Sequence, residues 1–284
     1  MDALHEMAPA IEKAGFSSCY VTDHPAPSVE WLESMEGHDA LDPMTALAFV
    51  AAMTSRLMLQ ANVMVLPYRN PFILSKSATT LQVLSGNRLI MGVAAGFARA
   101  EMEALGADPK RRGDLADEAL ETLRLIWTGK PVTKRGLNFN AVNILPRPNP
   151  TVSPPIWVGG SNDRAVARAA QWGDGWAPFW VQPARGGIYG QTALAGVDDF
   201  RSKLARIHEL RDEAGRTGPF DVALGPTERL KSRSREDVDA YLESVAAIAE
   251  LGVTWTTMRF KRKSVREYLE DLQWAAEEVI PRMP

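Results

Sequence analysis

The chain has 284 residues, of which 45% are hydrophobic and 24% charged, with a net charge of −3. These values exclude disordered, collagen-like and fibrous classes and leave no basic excess for nonspecific nucleic-acid binding. The single cysteine, Cys19, excludes an internal disulfide and a Cys2His2-type zinc site, and it fits a reducing, cytoplasmic setting.

No apolar run reaches the roughly 18 residues of a membrane span. The opening residues Met1 to Glu6 lack the charged-then-apolar pattern of a signal peptide, so none is expected. Instead the chain opens on a helical pattern. Leu4, Met7, Ile11 and Ala14 recur at helical spacing, and Gly15 stops them. Residues 16–22 then read as a strand. A helix follows from Asp42-Pro43 to Thr54, a strand over 57–65, and a helix from Asn70-Pro71 to Ser85. A strand over 88–93 and a long amphipathic helix over 111–127 continue the pattern.

Residues 131–153, rich in Pro, Asn and Gly, break the rhythm and predict an excursion containing a hairpin. The alternation then resumes. Strands are predicted over 155–158, 176–179, 220–224 and 253–258, with helices over 163–172, 197–214, 234–251 and 264–279. Residues 181–196 read as a long loop.

The strands are apolar on both sides, as buried parallel strands must be. Strand–helix alternation of this kind fits an open doubly wound sheet or a (β/α)8 barrel. Seven strands and eight helices, beginning on a helix, fit a single barrel that lacks its first strand. In either architecture ligands sit at the carboxyl ends of the strands.

After the first strand comes Asp23-His24-Pro25. This is either a polar pair able to exchange a proton near neutral pH, or an N-cap aspartate beside a surface histidine. Asn62-Val63, inside the second strand, reads on pattern as a satisfied core amide. Gly92 to Gly96, followed by Phe97, allows close backbone approach by a ligand or makes a tight turn; it does not match the dinucleotide fingerprint. Gly159-Gly160-Ser161-Asn162 leads straight into a helix, where free backbone N–H groups could hold a phosphate or Ser or Asn could act simply as an N-cap. Trp157, Trp172, Trp176 and Trp180 could wall a planar ligand or fill core. The four histidines show no i,i+4 metal spacing, and no Walker A loop or nucleophile elbow is present.

Seven strings occur together in one order: Val21 to His24, Leu66 to Phe72, Thr80 to Leu89, Gly92 to Gly96, Trp127-Thr128-Gly129, Pro155 to Gly160, and Gly173 to Trp176. In this the chain resembles the luciferase-like monooxygenase family, and within it the branch that uses the deazaflavin coenzyme F420. The resemblance covers most of residues 10–180 and is weaker beyond.

It implies a (β/α)8 barrel with an insertion at about 131–153, and usually a homodimer acting on a small-molecule substrate. It implies Asp23 and His24 beside the deazaflavin ring, with His24 relaying a proton and Asp23 orienting it. It implies a cis peptide at Asn62-Val63 backing the ring. Gly96 and Trp176 fall in the matched strings and, with Phe97 directly after Gly96, are expected at the cofactor, while Gly159, Gly160 and Ser161 match the backbone that cradles its phosphate. FMN in place of F420, or a non-catalytic role, are the alternatives. The basic run Arg259, Lys261, Arg262 and Lys263 could meet an anionic cofactor tail or be a solvated loop. Where the sugar-phosphate dehydrogenase branch has Glu after the glycine, this chain has Phe97; where it has Trp soon after Asp-His, this chain has Ser28, with Trp31 nearby. Those departures speak against sugar-phosphate oxidation and for a reductase or monooxygenase role on an apolar substrate.

Overall fold

A computed structural model of the chain describes residues 2–34, 38–180, 193–260 and 264–284. Most of the predicted 181–196 loop and the basic residues Lys261 to Lys263 lie outside them. Two compact units share the chain. One holds residues 20–52 and 58–159; the other holds 1–19, 53–57 and 160–284. Among the described residues no helix is long and apolar enough to cross a membrane.

The chain enters the unit of residues 20–52 and 58–159 within β1 (Ser18–Val21), and the strand order continues through β2 (Met58–Val65), β3 (Leu89–Ala94) and β6 (Ile156–Gly159). Strands β2, β3 and β6 pair in parallel, and residues of both parities along them, among them Leu59, Ala61, Met64, Leu89, Ile90, Met91, Val93, Ile156 and Trp157, are buried. Helices α3 (Pro43–Met53), α4 (Pro71–Leu84) and α6 (Arg112–Ile126) follow the predicted spans closely.

The excursion is a hairpin of β4 (Val132–Arg135) and β5 (Asn140–Ile144). It is tied to α4 by Lys76 Nζ donating to the Arg147 carbonyl, by Gln82 Nε2 donating to the Val152 carbonyl, and by an edge contact of Phe72 on Phe139. Gln82 also accepts from the Leu89 N–H, so both ends of this fully buried amide are satisfied. Arg88, nearly buried, donates to the Ser85 and Ala51 carbonyls. The string Thr80 to Leu89 is therefore explained by packing at the α4–β3 turn.

Two short helices, α2 (Val29–Ser34) and α5 (Arg99–Ala104), escape the sequence pattern. Six residues are too few to show a helical period.

In the other unit α1 (Asp2–Lys13) packs on α10 (Val265–Glu278). Val238, Tyr241, Leu242 and Val245 of α9 (Arg235–Glu250) join Ala275, Val279, Phe16 and Trp274 in one core cluster. Helix α7 (Asp163–Trp172) leads to β7 (Gly175–Ala177), which pairs in parallel with β8 (Asp221–Val222), and α8 (Val197–Glu213) lies between them in sequence. The strand predicted over 253–258 is instead extended chain with one parallel bridge, Ala223 to Trp255. Side chains take over part of the ladder there. Thr254 Oγ1 accepts from the Val222 N–H, and Trp255 Nε1 donates to Asp221.

Glu12 of α1 holds the chain just before β2. Its carboxylate accepts from the N–H groups of Ser55, Arg56 and Leu57 at 2.9, 2.6 and 2.8 Å. Burial acts to raise its pKa, but those amides and the Ser55 hydroxyl outweigh it and pull the value from 4.5 to about 2. A pKa depressed by folding gives stability that is present above the unfolded value and lost as pH falls through the folded one. Because the carboxylate keeps some access to water, the contribution is discounted and is on the order of 1 kcal/mol. Urea midpoints measured from pH 5 down to pH 2 should therefore fall less steeply in Glu12→Gln than in the parent protein. Parallel curves would remove Glu12 from the account.

Candidate functional site

The carboxyl end of β1 delivers Asp23 and His24. Asp23 is 3% exposed and points at β2. One oxygen accepts from the Val65 N–H at 2.9 Å and from Arg69 Nη1 at 2.6 Å; the other accepts from Arg69 Nη2 at 2.7 Å. Both oxygens are thus committed to Arg69 and β2. The expectation that Asp23 orients His24 is corrected: the carboxylate on His24 is Glu101.

Glu101 comes from α5 and is 1% exposed. Its Oε2 lies 3.1 Å from His24 Nδ1 and accepts from the Tyr68 hydroxyl at 2.9 Å, while its Oε1 accepts from the Ala26 N–H at 3.0 Å. Burial works to raise the Glu101 pKa. The hydrogen bonds from His24, Ala26 and Tyr68 more than offset it, so the carboxyl sits below its ordinary range. Tyr68, desolvated and facing that carboxylate, is pushed well above the usual phenol range.

Aromatic rings enclose His24. Trp31 of α2 lies 4.2 Å away, centroid to centroid and 31° from parallel, with His38 at 5.5 Å and Phe97 at 6.3 Å edge-on. His38 is held in turn by Thr22 at 2.8 Å. An acid and a tryptophan, expected to be missing, therefore stand on either side of His24. They come from α5 and α2. The signal for α5 was available in the sequence: Ala98 to Leu105 are good helix formers between two glycines, Gly96 at φ +75° and Gly106 at φ +76°.

Strand β2 carries the second feature. Its Asn62–Val63 peptide is cis, and the register against β3 shifts between Ala61 and Met64. Asn62 and Val63 are half-exposed, while Ala61, Met64 and Val65 around them are buried. Asn62, read on pattern as a satisfied core amide, is thus only half-buried.

The shift drives the Ala61 carbonyl toward β3. A Cβ at Gly92 would lie 2.2 Å from that oxygen, so the backbone that needs this glycine is the protein's own. At Gly159 a Cβ would press on Val63 Cγ1 at 3.3 Å and touch Ala94 Cβ at 3.6 Å. Val63, Ala94 and Gly159 thus form a low, half-open shelf at the carboxyl ends of β2, β3 and β6.

The remaining expected residues serve packing or turns. Gly96 adopts positive φ, and a Cβ there would strike Val65 and Met102, so turn and packing account for it. Gly160 has φ +94°, Ser161 is fully buried, and Asn162 caps α7 by accepting from the Ala165 N–H. Trp176 is fully buried, stacks on Phe200 at 5.5 Å and donates Nε1–H to the Gly160 carbonyl. It braces the glycine turn from within and offers no open face for a ligand.

The sequence profile of the luciferase-like monooxygenases matches residues 1–279. The chain belongs to that family. Within it, an uncharacterized protein of Mycobacterium tuberculosis is 32% identical over 227 residues, 76% of this chain and 74% of the relative. An F420-dependent glucose-6-phosphate dehydrogenase of Beutenbergia cavernae is 27% identical over 316 residues, 96% of this chain and 90% of the relative. The solved monooxygenase RslO1 of Streptomyces bottropensis has a TM-score of 0.79 at 18% identity, covering 99% of this chain and 92% of its own. That structural likeness gives this luciferase-like chain its α/β fold.

Proposed function

We propose that this protein is an F420-dependent oxidoreductase that interconverts an alcohol and a carbonyl group on a small organic substrate. On this reading the chain builds a luciferase-like (β/α)8-type fold with its excursion at about 131–153. The observation that carries the reading is His24, held by a buried carboxylate and walled by Trp31 and Phe97, on a family scaffold with an F420-dependent relative.

The shelf fits a planar ring. A side chain on Gly159 would raise it, and Asn62 and Val63 are left half-buried beside it. Asn62, Val63 and Gly159 would hold the ring. When bound, the deazaflavin supplies or accepts a hydride at C5.

The chain's own residues do the rest. His24 holds or releases the proton that leaves or joins the substrate oxygen. Trp31 and Phe97 keep that proton away from bulk water. Asp23 is a positioning residue that pins β1 to β2 through Val65 and Arg69.

Tryptophan quenching tests the cofactor. Titration with F420 should saturate with a Kd in the micromolar range and with FMN only at higher concentration. Tighter binding of FMN would move the reading to a flavin monooxygenase, and binding of neither would favour a non-catalytic role.

A homodimer belongs to the same reading. Helix α4 carries no carboxylate, and it exposes Ile73 (66%) and Leu84 (73%). Ser77 and Thr80, between them, turn their hydroxyls back to the Ile73 and Lys76 carbonyls, so this stripe makes few demands on water. The double substitution Ile73→Glu, Leu84→Glu should convert a dimer into a folded monomer by light scattering. A dimer that persists would place the interface elsewhere.

A further inference from the structure

We propose that Glu101 and Tyr68 are positioning residues that fix which nitrogen of His24 faces the substrate. Glu101 holds the Nδ1 proton and leaves Nε2 as the working atom, while Tyr68 shares the same carboxylate oxygen and limits how tightly that proton is held. The inference deepens, and rests on, the reading of His24 as the proton relay.

An ionised carboxylate only accepts hydrogen bonds. Two donors already commit Glu101 to that state: the Ala26 N–H on Oε1 and the Tyr68 hydroxyl on Oε2. The His24 nitrogen 3.1 Å from Oε2 must then be a donor, so Nδ1 carries the proton. In the neutral ring the lone pair falls on Nε2. Asp23 does not compete, because its oxygens are taken by Arg69 and the Val65 N–H. The ring cannot readily turn over to exchange its nitrogens, since Trp31 packs on it at 4.2 Å and His38 and Phe97 stand at its edges.

Tyr68 has a separate role. Its hydroxyl and His24 Nδ1 converge on the one atom, Oε2. Each donor draws on the same lone-pair density and weakens the other's bond. Removing the hydroxyl should therefore strengthen the His24–Glu101 bond, whereas removing the charge on Glu101 should abolish the tautomer preference. Where the sugar-phosphate dehydrogenase branch has Glu directly after the glycine, this chain has Phe97, and its carboxylate stands five residues on from Gly96, in the first turn of α5.

The chain has four histidines, so histidine-selective 15N spectra can be read residue by residue, with His24 assigned by its loss in His24→Asn. In the parent protein the neutral His24 ring should show a protonated Nδ1 and an unprotonated Nε2, the reverse of the form that dominates free histidine in water. Glu101→Gln, which keeps the shape, should give a mixed or inverted tautomer. Tyr68→Phe should keep the tautomer and move the Nδ1 proton downfield. Retention of the parent tautomer in Glu101→Gln, or an unmoved or upfield proton in Tyr68→Phe, would overturn the proposal; the second arm stands by itself if the first variant does not fold. The functional reading fails by a different route, namely full turnover in His24→Asn, which leaves these spectra as expected.

Discussion

Replacing His24 with alanine is expected to lower turnover by about 10²- to 10⁴-fold, the usual contribution of a positioned acid–base group. Binding of F420 should stay within about twofold, because the shelf of Asn62, Val63, Ala94 and Gly159 loses nothing. The effect should appear equally in kcat and kcat/KM, since the proton transfer belongs to the transition state and not to substrate capture. One complication can be anticipated. Alanine also removes a ring packed on Trp31 and one of three groups on Glu101. His24→Gln fills more of that space and serves as the control. If both variants lose turnover to the same degree with unchanged melting temperatures, the loss is chemical. Full turnover in either would end the assignment of His24 as the relay.

His24 was legible in the sequence because it follows a strand directly, at the end where ligands bind. The same reasoning marks the Gly159-Gly160 turn, whereas Asn62-Val63 is marked only by the family resemblance, since its pattern alone reads as a satisfied core amide. What escaped it were side chains arriving from short elements. Glu101 stands on a six-residue helix and Trp31 on another, and neither helix is long enough to display a period. Position after a strand also says nothing about which way a side chain turns. Asp23 and His24 are neighbours in sequence, yet one is buried against Val65 and Arg69 while the other meets Glu101, 77 residues away. Trp176 shows the converse error. An aromatic residue just past a glycine pair reads as a ligand wall, but its buried stack on Phe200 and its bond to the Gly160 carbonyl make it part of the scaffold. Gly92 likewise looked open to a ligand, and its partner is the carbonyl of Ala61. That approach depends on the register shift in β2, a long-range pairing that no local pattern encodes.

Replacing Asp23 tests the difference between holding the site and acting in it. Its carboxylate makes a bidentate bond to Arg69, which is 20% exposed, and caps the Val65 N–H at the end of β2. Asp23→Ala strands both. The nearest remaining carboxylate on Arg69 is Asp42, 3.8 Å away and half-exposed, which compensates weakly. Breaking a buried pair from one side costs about 3–5 kcal/mol, and part of that range is expected here because Arg69 keeps some access to water. Asp23→Asn should cost less, since its amide oxygen can still accept from Val65 while the charge on Arg69 goes unanswered. In both variants the denaturant midpoint should drop. In Asp23→Asn, turnover measured well below the melting temperature should stay within a fewfold of the parent, because Glu101, not Asp23, holds His24. The opposite pattern, unchanged stability with turnover lost, is what a direct partner of His24 would give. It would return Asp23 to the place its sequence position suggested and remove Glu101 from it.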